Sequence, residues 1–336
     1  MSLHWGIIGA GKIAERQMVT AIGQASDQRL VAVTKRDQAQ AQAFAARHRV
    51  AGAYTSSAAL LADPAVQAVY VATPPHLHAA QTVQAAQAGK HVLCEKPLAL
   101  DSDQARQMID ACHAHGVQLM VCHYQRYNSR HQQIRQLLAA GAIGQVVSVR
   151  LNFSDYFPPT PGFWHHNPAI SGGGVLMDLG IHCVDLLRYL CGEVTEVMAM
   201  VETLATDSPV EDTATLLLKL DNGCQAVITS HWSAATFEPQ QANGLEICGT
   251  LGTIQAAPIQ AKDSSGTLRL LTAAGEQNFN VAPGGLRPHV ALLEDFARSI
   301  ASGTPSPIPG EEGLAGLRVI EAAHRSAKTG TRILLD

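Results

Sequence analysis

The sequence predicts an α/β protein in two parts: a doubly wound parallel sheet first, then an α+β domain with a large, mostly antiparallel open sheet. Three observations carry this. In the first third, short apolar runs alternate with helical patterns, which gives parallel β-α-β units. Beyond residue 122, strand-like runs follow one another with few helices between them, as in an antiparallel sheet. The chain of 336 residues also exceeds what one hydrophobic core normally serves. The boundary is drawn between 1–122 and 123–336.

The first apolar run, residues 5–8, leads into Gly9-Ala10-Gly11-Lys12-Ile13-Ala14 and a helical pattern over 13–25. The spacing is Gly-x-Gly-x-x-Ala. Gly9 permits a tight turn. Gly11, without a Cβ, lets a pyrophosphate approach the backbone. Ala14 lets the helix lie close to the strand. Phosphates would sit at the helix N-terminus, where free N–H groups favour an anion. Further strands are read at 30–34, 68–72, 91–94 and 117–121, and helices at 39–47, 78–88 and 102–115.

The second part opens with a helix over 130–140. Strands are read at 146–153, 194–203, 213–220, 224–232, 245–248 and 268–272. Turn signals such as Asp221-Asn222-Gly223 and Ser264-Ser265-Gly266 separate them. One amphipathic helix, 172–190, interrupts the strands. Two helices, 288–300 and 312–328, close the chain. Pro305, Pro307 and Pro309 stiffen the link between them.

Hydrophobic residues make up 46% and charged residues 15%, an ordinary globular composition. The net charge of −4 predicts no basic face for nucleic acid. No apolar run approaches the roughly 18 residues of a membrane span. No basic-then-apolar leader opens the chain. The seven cysteines form no Cys-x-x-Cys pair, so a reducing, cytoplasmic location is expected. The histidine pairs His76/His78, His113/His115 and His165/His166 lack the partners of a structural zinc site, so no metal is expected.

The second strand ends Val33-Thr34-Lys35-Arg36-Asp37. An NAD site would place an acid there for the ribose 2′-hydroxyl. Lys35 and Arg36 instead suit a 2′-phosphate. Asp37 either reaches the ribose or caps the next helix. The cofactor expected is NADP, with NAD as the alternative.

Ligands of open α/β sheets lie beyond the carboxyl ends of the strands. Thr73-Pro74-Pro75-His76-Leu77-His78 and Glu95-Lys96-Pro97 follow two of them. Lys96 there either polarises a substrate oxygen or pairs with Glu95 at the surface. In Gly172-Gly173-Gly174-Val175-Leu176-Met177-Asp178-Leu179-Gly180-Ile181-His182, Asp178 and His182 are four apart on a helix. They read as a general acid/base with its orienting carboxylate, or as a structural pair.

Together these motifs resemble the glucose–fructose oxidoreductase / inositol dehydrogenase family, written Gfo/Idh/MocA. Gly249-Thr250-Leu251-Gly252-Thr253 and Ser326-Ala327-Lys328-Thr329-Gly330 match as well, so the resemblance spans the chain. It implies an N-terminal Rossmann domain and a C-terminal α+β domain whose sheet often makes homodimers or homotetramers. It implies hydride transfer between NAD(P) and a sugar, polyol or related hydroxy compound, with the nicotinamide between the domains. Lys96, Asp178 and His182 map to the family's catalytic residues. Gly9, Ala10, Gly11, Lys12, Ile13, Lys35, Arg36, Thr73, Pro74, His78, Glu95 and Gln125 are expected at the cofactor. Pro97 matches a proline that in the family commonly follows a cis bond.

For the substrate, Arg126, Tyr156 and Trp164 are expected alongside Lys96, Asp178 and His182. Arg126 is read equally as an ion-pair partner. The aromatic stretches Tyr156-Phe157-Pro158-Pro159 and Phe163-Trp164-His165-His166 suit a sugar pocket, or ordinary packing. The family often has a basic residue after the tryptophan, where this chain has His165. The alternatives are a non-catalytic NADP(H)-binding sensor and a redox-assisted NAD-dependent glycosidase.

Overall fold

A computed structural model describes residues 2–158, 160, 162–232, 243–260, 266–280 and 288–335. Pro159, Ser264 and Ser265 lie outside them. The chain divides into two compact units, Met1–His123 with His289–Leu314, and Tyr124–Pro288 with Ala315–Asp336.

In the first unit the strands are β1 (Leu3–Ile8), β2 (Gln28–Thr34), β3 (Gly52–Tyr54), β4 (Ala68–Val71), β5 (His91–Cys94) and β6 (Leu119–Val121). They form one parallel sheet in the order β3-β2-β1-β4-β5-β6. Every residue of β4 is buried, the apolar pattern of a strand covered on both faces. The order reverses between β1 and β4. A ligand of such a sheet binds at that reversal, beyond the carboxyl ends. Gly9 follows β1 and Thr73 lies just past β4, so both flank it.

The expected helix over 13–25 begins as a π-helix, Ala14–Val19, and becomes α-helical at Thr20–Gln24. The short strand β3 and the helix Ser57–Leu61 lay below any periodic signal in the sequence.

The single domain drawn over 123–336 does not hold for 289–314. The helix Pro288–Ser302 buries Val290, Leu292, Leu293 and Phe296. The Phe296 ring lies 6.0 Å from that of Trp5. Beyond it, the Val121 N–H donates to Ile308 O at 2.9 Å. An apolar helix face records that it packs, not which core receives it.

The second unit holds β7 (Val146–Asn152), β8 (Val194–Glu202), β9 (Thr213–Leu220), β10 (Gln225–His231), β11 (Gly244–Gly249), β12 (Gly252–Ala257), β13 (Thr267–Thr272), β14 (Gly275–Asn278) and β15 (Ile333–Leu334). Their order is β14-β13-β12-β11-β7-β10-β9-β8-β15. Among the described strands of this sheet, only β7 and β10 pair in parallel. Strands β12, β14 and β15 were not expected; each is short or bounded by glycine.

The expected helix over 172–190 is two pieces, a π-helix Leu176–Gly180 and Ile181–Cys191, preceded by a separate short helix Pro168–Ser171. Nine residues of the last piece are buried, on all its faces. The stretch Pro168–Cys191 matches a membrane span in length and mean hydropathy (1.4), but 83% of that window is buried inside the protein. It is a core helix.

The turn between β8 and β9 is gathered by one carboxylate. Buried Asp212 accepts from the N–H groups of Leu204 (3.0 Å), Ala205 (2.9 Å) and Thr206 (2.9 Å), and from the hydroxyls of Thr206 and Thr213. Burial by itself raises its pKa. The hydrogen bonds outweigh burial and hold the pKa below the ordinary value. A depressed folded-state pKa stabilises above the unfolded-state value and is lost as pH falls through the folded one. Asp212→Asn is therefore expected to cost about 1–3 kcal/mol in urea unfolding at pH 7, with a smaller difference from wild type at pH 3.

Candidate active site

At the end of β1 the backbone turns at Gly9 with φ +86°, a conformation side chains rarely adopt. A Cβ there would lie 2.6 Å from Thr73 Cγ2 and 3.0 Å from Thr73 N. Thr34 holds the turn: the Gly9 N–H donates to its Oγ1 (2.9 Å) and the Ala10 N–H to its carbonyl (3.0 Å). A Cβ on Gly11 would meet nothing nearer than 3.9 Å, so this side of the turn is open. Lys12 and Ile13 are exposed beside it. A glycine cradle open to solvent at a helix start fits a pyrophosphate. The nearby acid is already paired. Glu15 bonds Arg47 at 2.6 Å and His48 at 2.8 Å, and the His48 bond, more than the Arg47 ion pair, holds its pKa down.

The question at Asp37 is answered by its hydrogen bond. Its carboxylate accepts from the Gln40 N–H at 2.8 Å and caps the helix Gln38–His48. Lys35 lies with its ammonium 5.2 Å from the Phe44 ring centre, a cation–π contact, and Arg36 is exposed.

Past β5, the Tyr70 hydroxyl donates to Glu95 Oε1, and the Lys96 N–H donates to Oε2 at 3.1 Å. Cys122 also hydrogen-bonds Glu95, and burial followed by this carboxylate pushes the Cys122 thiol well up. The Lys96–Pro97 peptide is cis. His78 is 1% exposed, with Nε2 2.7 Å from Thr73 O and Nδ1 3.0 Å from Pro97 O. Glu95 and His78, both expected at the cofactor, are engaged here with protein groups. Glu95 is bound by protein donors, and the His78 ring nitrogens face backbone carbonyls. Both hold loops. Lys96 is half-buried on the loop they hold.

In the second unit the glycine triplet exists for one carboxylate. The Gly174 N–H donates to Glu211 Oε2 at 2.8 Å, the Leu176 N–H to Oε1 at 3.1 Å, and the Val175 N–H to the Glu211 carbonyl at 2.9 Å. Any Cβ on Gly174 would lie 1.8 Å from that carbonyl. Glu211 thus sits at the positive end of the helix bearing Asp178 and His182. No motif in the sequence pointed to it, nor to Tyr70 or Cys122. His182 is 4% exposed, its ring 5.8 Å from each of the rings of Tyr124 and Phe153. Asp178 is half-buried one turn before it.

Of the two readings of Arg126, the structure shows the ion pair. Its guanidinium grips Asp185, with Nη2 2.7 Å and Nε 3.0 Å from Oδ1, and both side chains are buried. Removing either partner would strand a buried charge, so the pair is structural. Gln125 is 1% exposed, and neither amide atom has a partner among the described residues. Trp164 and Phe163, with His166, Asn167 and Asp207, line a cavity of about 440 Å³. Tyr156 is 52% exposed. Among the described residues no group of three His, Cys, Asp or Glu could hold a metal.

Residues 3–123 match the model of an oxidoreductase family with an NAD-binding Rossmann fold, and residues 131–255 match the Gfo/Idh/MocA C-terminal domain. The 1,5-anhydro-D-fructose reductase of Ensifer adhaerens is 32% identical over 97% of each chain. The chain belongs to the Gfo/Idh/MocA family. It is an oxidoreductase whose first unit is built to bind a nicotinamide dinucleotide. The D-xylose 1-dehydrogenase (NADP(+)) 2 of Haloferax volcanii is 31% identical over 99% of this chain and 100% of its own. Among solved structures, the aldose-aldose oxidoreductase of Caulobacter crescentus, complexed with glycerol, superposes with a TM-score of 0.92 at 29% identity over the whole of both chains.

The Gly174–Glu211 approach makes a direct prediction. Gly174→Ala is expected to lower stability by about 3 kcal/mol or more, because the methyl group meets backbone that cannot yield. Thermal unfolding followed by circular dichroism measures this.

Proposed function

We propose that the protein is an NADP-dependent oxidoreductase that moves a hydride between the nicotinamide and a sugar, polyol or related hydroxy compound. The observation that carries the reading is the glycine cradle in the same unit as a Lys96 loop held by Glu95 and His78. The relatives named for anhydrofructose and xylose support the substrate class. Lys35 and Arg36 at the end of β2, with Asp37 engaged as a helix cap, support NADP.

A bound nicotinamide supplies or accepts the hydride. Lys96 stabilises the charge that develops on the reacting oxygen. His182 holds or returns the proton at a ring nitrogen, and Asp178 orients that ring. Thr73, Pro74 and the unpaired amide of Gln125 serve cofactor binding. Trp164 offers a face for a sugar ring, and the exposed Tyr156 is a second aromatic candidate. Met198, Met200 and Leu217 form an exposed apolar patch on paired β8 and β9, and we assign it to a homodimer or homotetramer. Seven free cysteines, six of them buried, suit the cytoplasm.

A panel of aldoses, ketoses and polyols, assayed by NADPH absorbance, tests the reaction. Tight NADPH binding without turnover of any member would replace this reading with that of a sensor. With the best substrate, Lys96→Ala is expected to lower kcat by about 10²–10³-fold while the NADPH Kd stays within about threefold. Near-full activity would remove Lys96 from the mechanism.

Fluorescence titration tests the cofactor. The double variant Lys35→Ala/Arg36→Ala is expected to weaken NADPH binding by about 10–100-fold and leave NADH within about twofold. Tighter NADH than NADPH binding by the wild type would overturn the preference.

A further inference from the structure

One imidazole lies between the loop after β4 and the loop after β5; burial holds its pKa down, and the neutral ring donates its single N–H to one carbonyl and packs against the other. Strand pairing reaches as far as the Glu95 N–H, which donates to Val71 O at 3.0 Å. Beyond that point the His78 ring spans both loops. Its Nε2 lies 2.7 Å from the carbonyl of Thr73, and its Nδ1 lies 3.0 Å from that of Pro97 and 3.3 Å from that of Leu98. Both ring nitrogens face backbone carbonyls, so its effect reaches a site through what it holds.

What it holds is specific at each end. Thr73 closes over the glycine turn, with its Cγ2 2.6 Å from where a Gly9 Cβ would be. Its hydroxyl is anchored separately, donating to Gln81 Oε1 at 2.6 Å. Pro97 directly follows Lys96. A continuous path of contacts and bonded neighbours therefore runs from Gly9 through Thr73 and His78 to Pro97 and Lys96, with His78 and Pro97 buried. Alternative side chains would not span it. Leucine has no donor. Asparagine is short and reaches one loop. Glutamine carries two N–H groups on one nitrogen, enough to donate toward both.

We propose that His78 is a positioning residue that transmits the seating of a dinucleotide on the glycine turn to the Lys96 side chain. This rests on the proposed function for its catalytic consequence, but not for the coupling itself. Displacement of Thr73 by the phosphates reaches the Lys96 loop through the ring. Packed, hydrogen-bonded elements pass on small shifts that a loose loop would absorb.

The test uses the full chain and a probe that cannot react, 2′-phospho-ADP-ribose. The probe occupies the glycine turn but has no nicotinamide to shield Lys96 directly. Lys96 reactivity is read by reductive methylation with formaldehyde and dimethylamine-borane, followed by peptide mass spectrometry. In the wild type the probe is expected to change the Lys96 methylation rate by about fivefold or more, as expected for a coupling of about 1 kcal/mol. In His78→Leu and His78→Asn the change is expected to vanish while the probe's Kd stays within about threefold. His78→Gln is expected to restore it. An unchanged response in the Asn variant, which keeps a polar group at the buried position if the Leu variant fails to fold, overturns the proposal. So does a wild type that shows no response. With a sugar substrate, His78→Asn should lower kcat by about tenfold at an unchanged KM for NADPH. If no sugar is turned over, the functional reading fails and the methylation result still decides the role of His78.

Discussion

At Gly9 the chain passes so close to Thr73 that no side chain fits between them. That approach fixes the end of β1 against the segment after β4, where the strand order reverses. The N–H groups of Gly9 and Ala10 go to Thr34 and that of Gly11 to the Gly9 carbonyl, so the turn is held by the fold and an anion would be met by the helix start beyond it. The second unit uses the same device. Gly174 brings a helix start onto the backbone and carboxylate of Glu211, and the helix carries Asp178 and His182 away from that point. In each unit a missing Cβ sets the origin from which the functional side chains are placed.

Both of these glycine-led helices begin with a π segment, Ala14–Val19 in one unit and Leu176–Gly180 in the other. Such turns recur at functional positions, because widening the helix re-aims side chains at a cost in hydrogen-bond geometry. Acids around the candidate cofactor residues are meanwhile engaged by the protein. Glu15 is held by His48 and Arg47, Asp37 by the Gln40 N–H, and Glu95 by Tyr70 and the Lys96 backbone. Lys35, Arg36 and the helix start remain to attract phosphate.

The sequence was most legible where chemistry constrains local backbone. The glycine spacing, the parallel alternation and the Glu95-Lys96-Pro97 stretch were readable because each depends on neighbours a few residues apart. Asp37 stayed open, since capping and ribose binding ask for the same residue type. Arg126 was equally ambiguous; its partner Asp185 lies 59 residues on, and only the fold brings the two together. Glu211 was invisible for the same reason, being 37 residues from the glycine it bonds. His78 and Glu95 stood in the right segments, but the sequence does not show whether a side chain turns toward a ligand or toward the backbone beneath it.

The return of 289–314 to the first unit bears on how the protein is made. Phe296 packs near Trp5 of the first strand, and Ile308 takes the hydrogen bond of Val121 beside the last strand of that sheet. On a ribosome, the opening strand emerges long before the helix that belongs beside it. The nascent dinucleotide-binding unit must wait, with part of its apolar surface uncovered, while nearly the whole second sheet is synthesised.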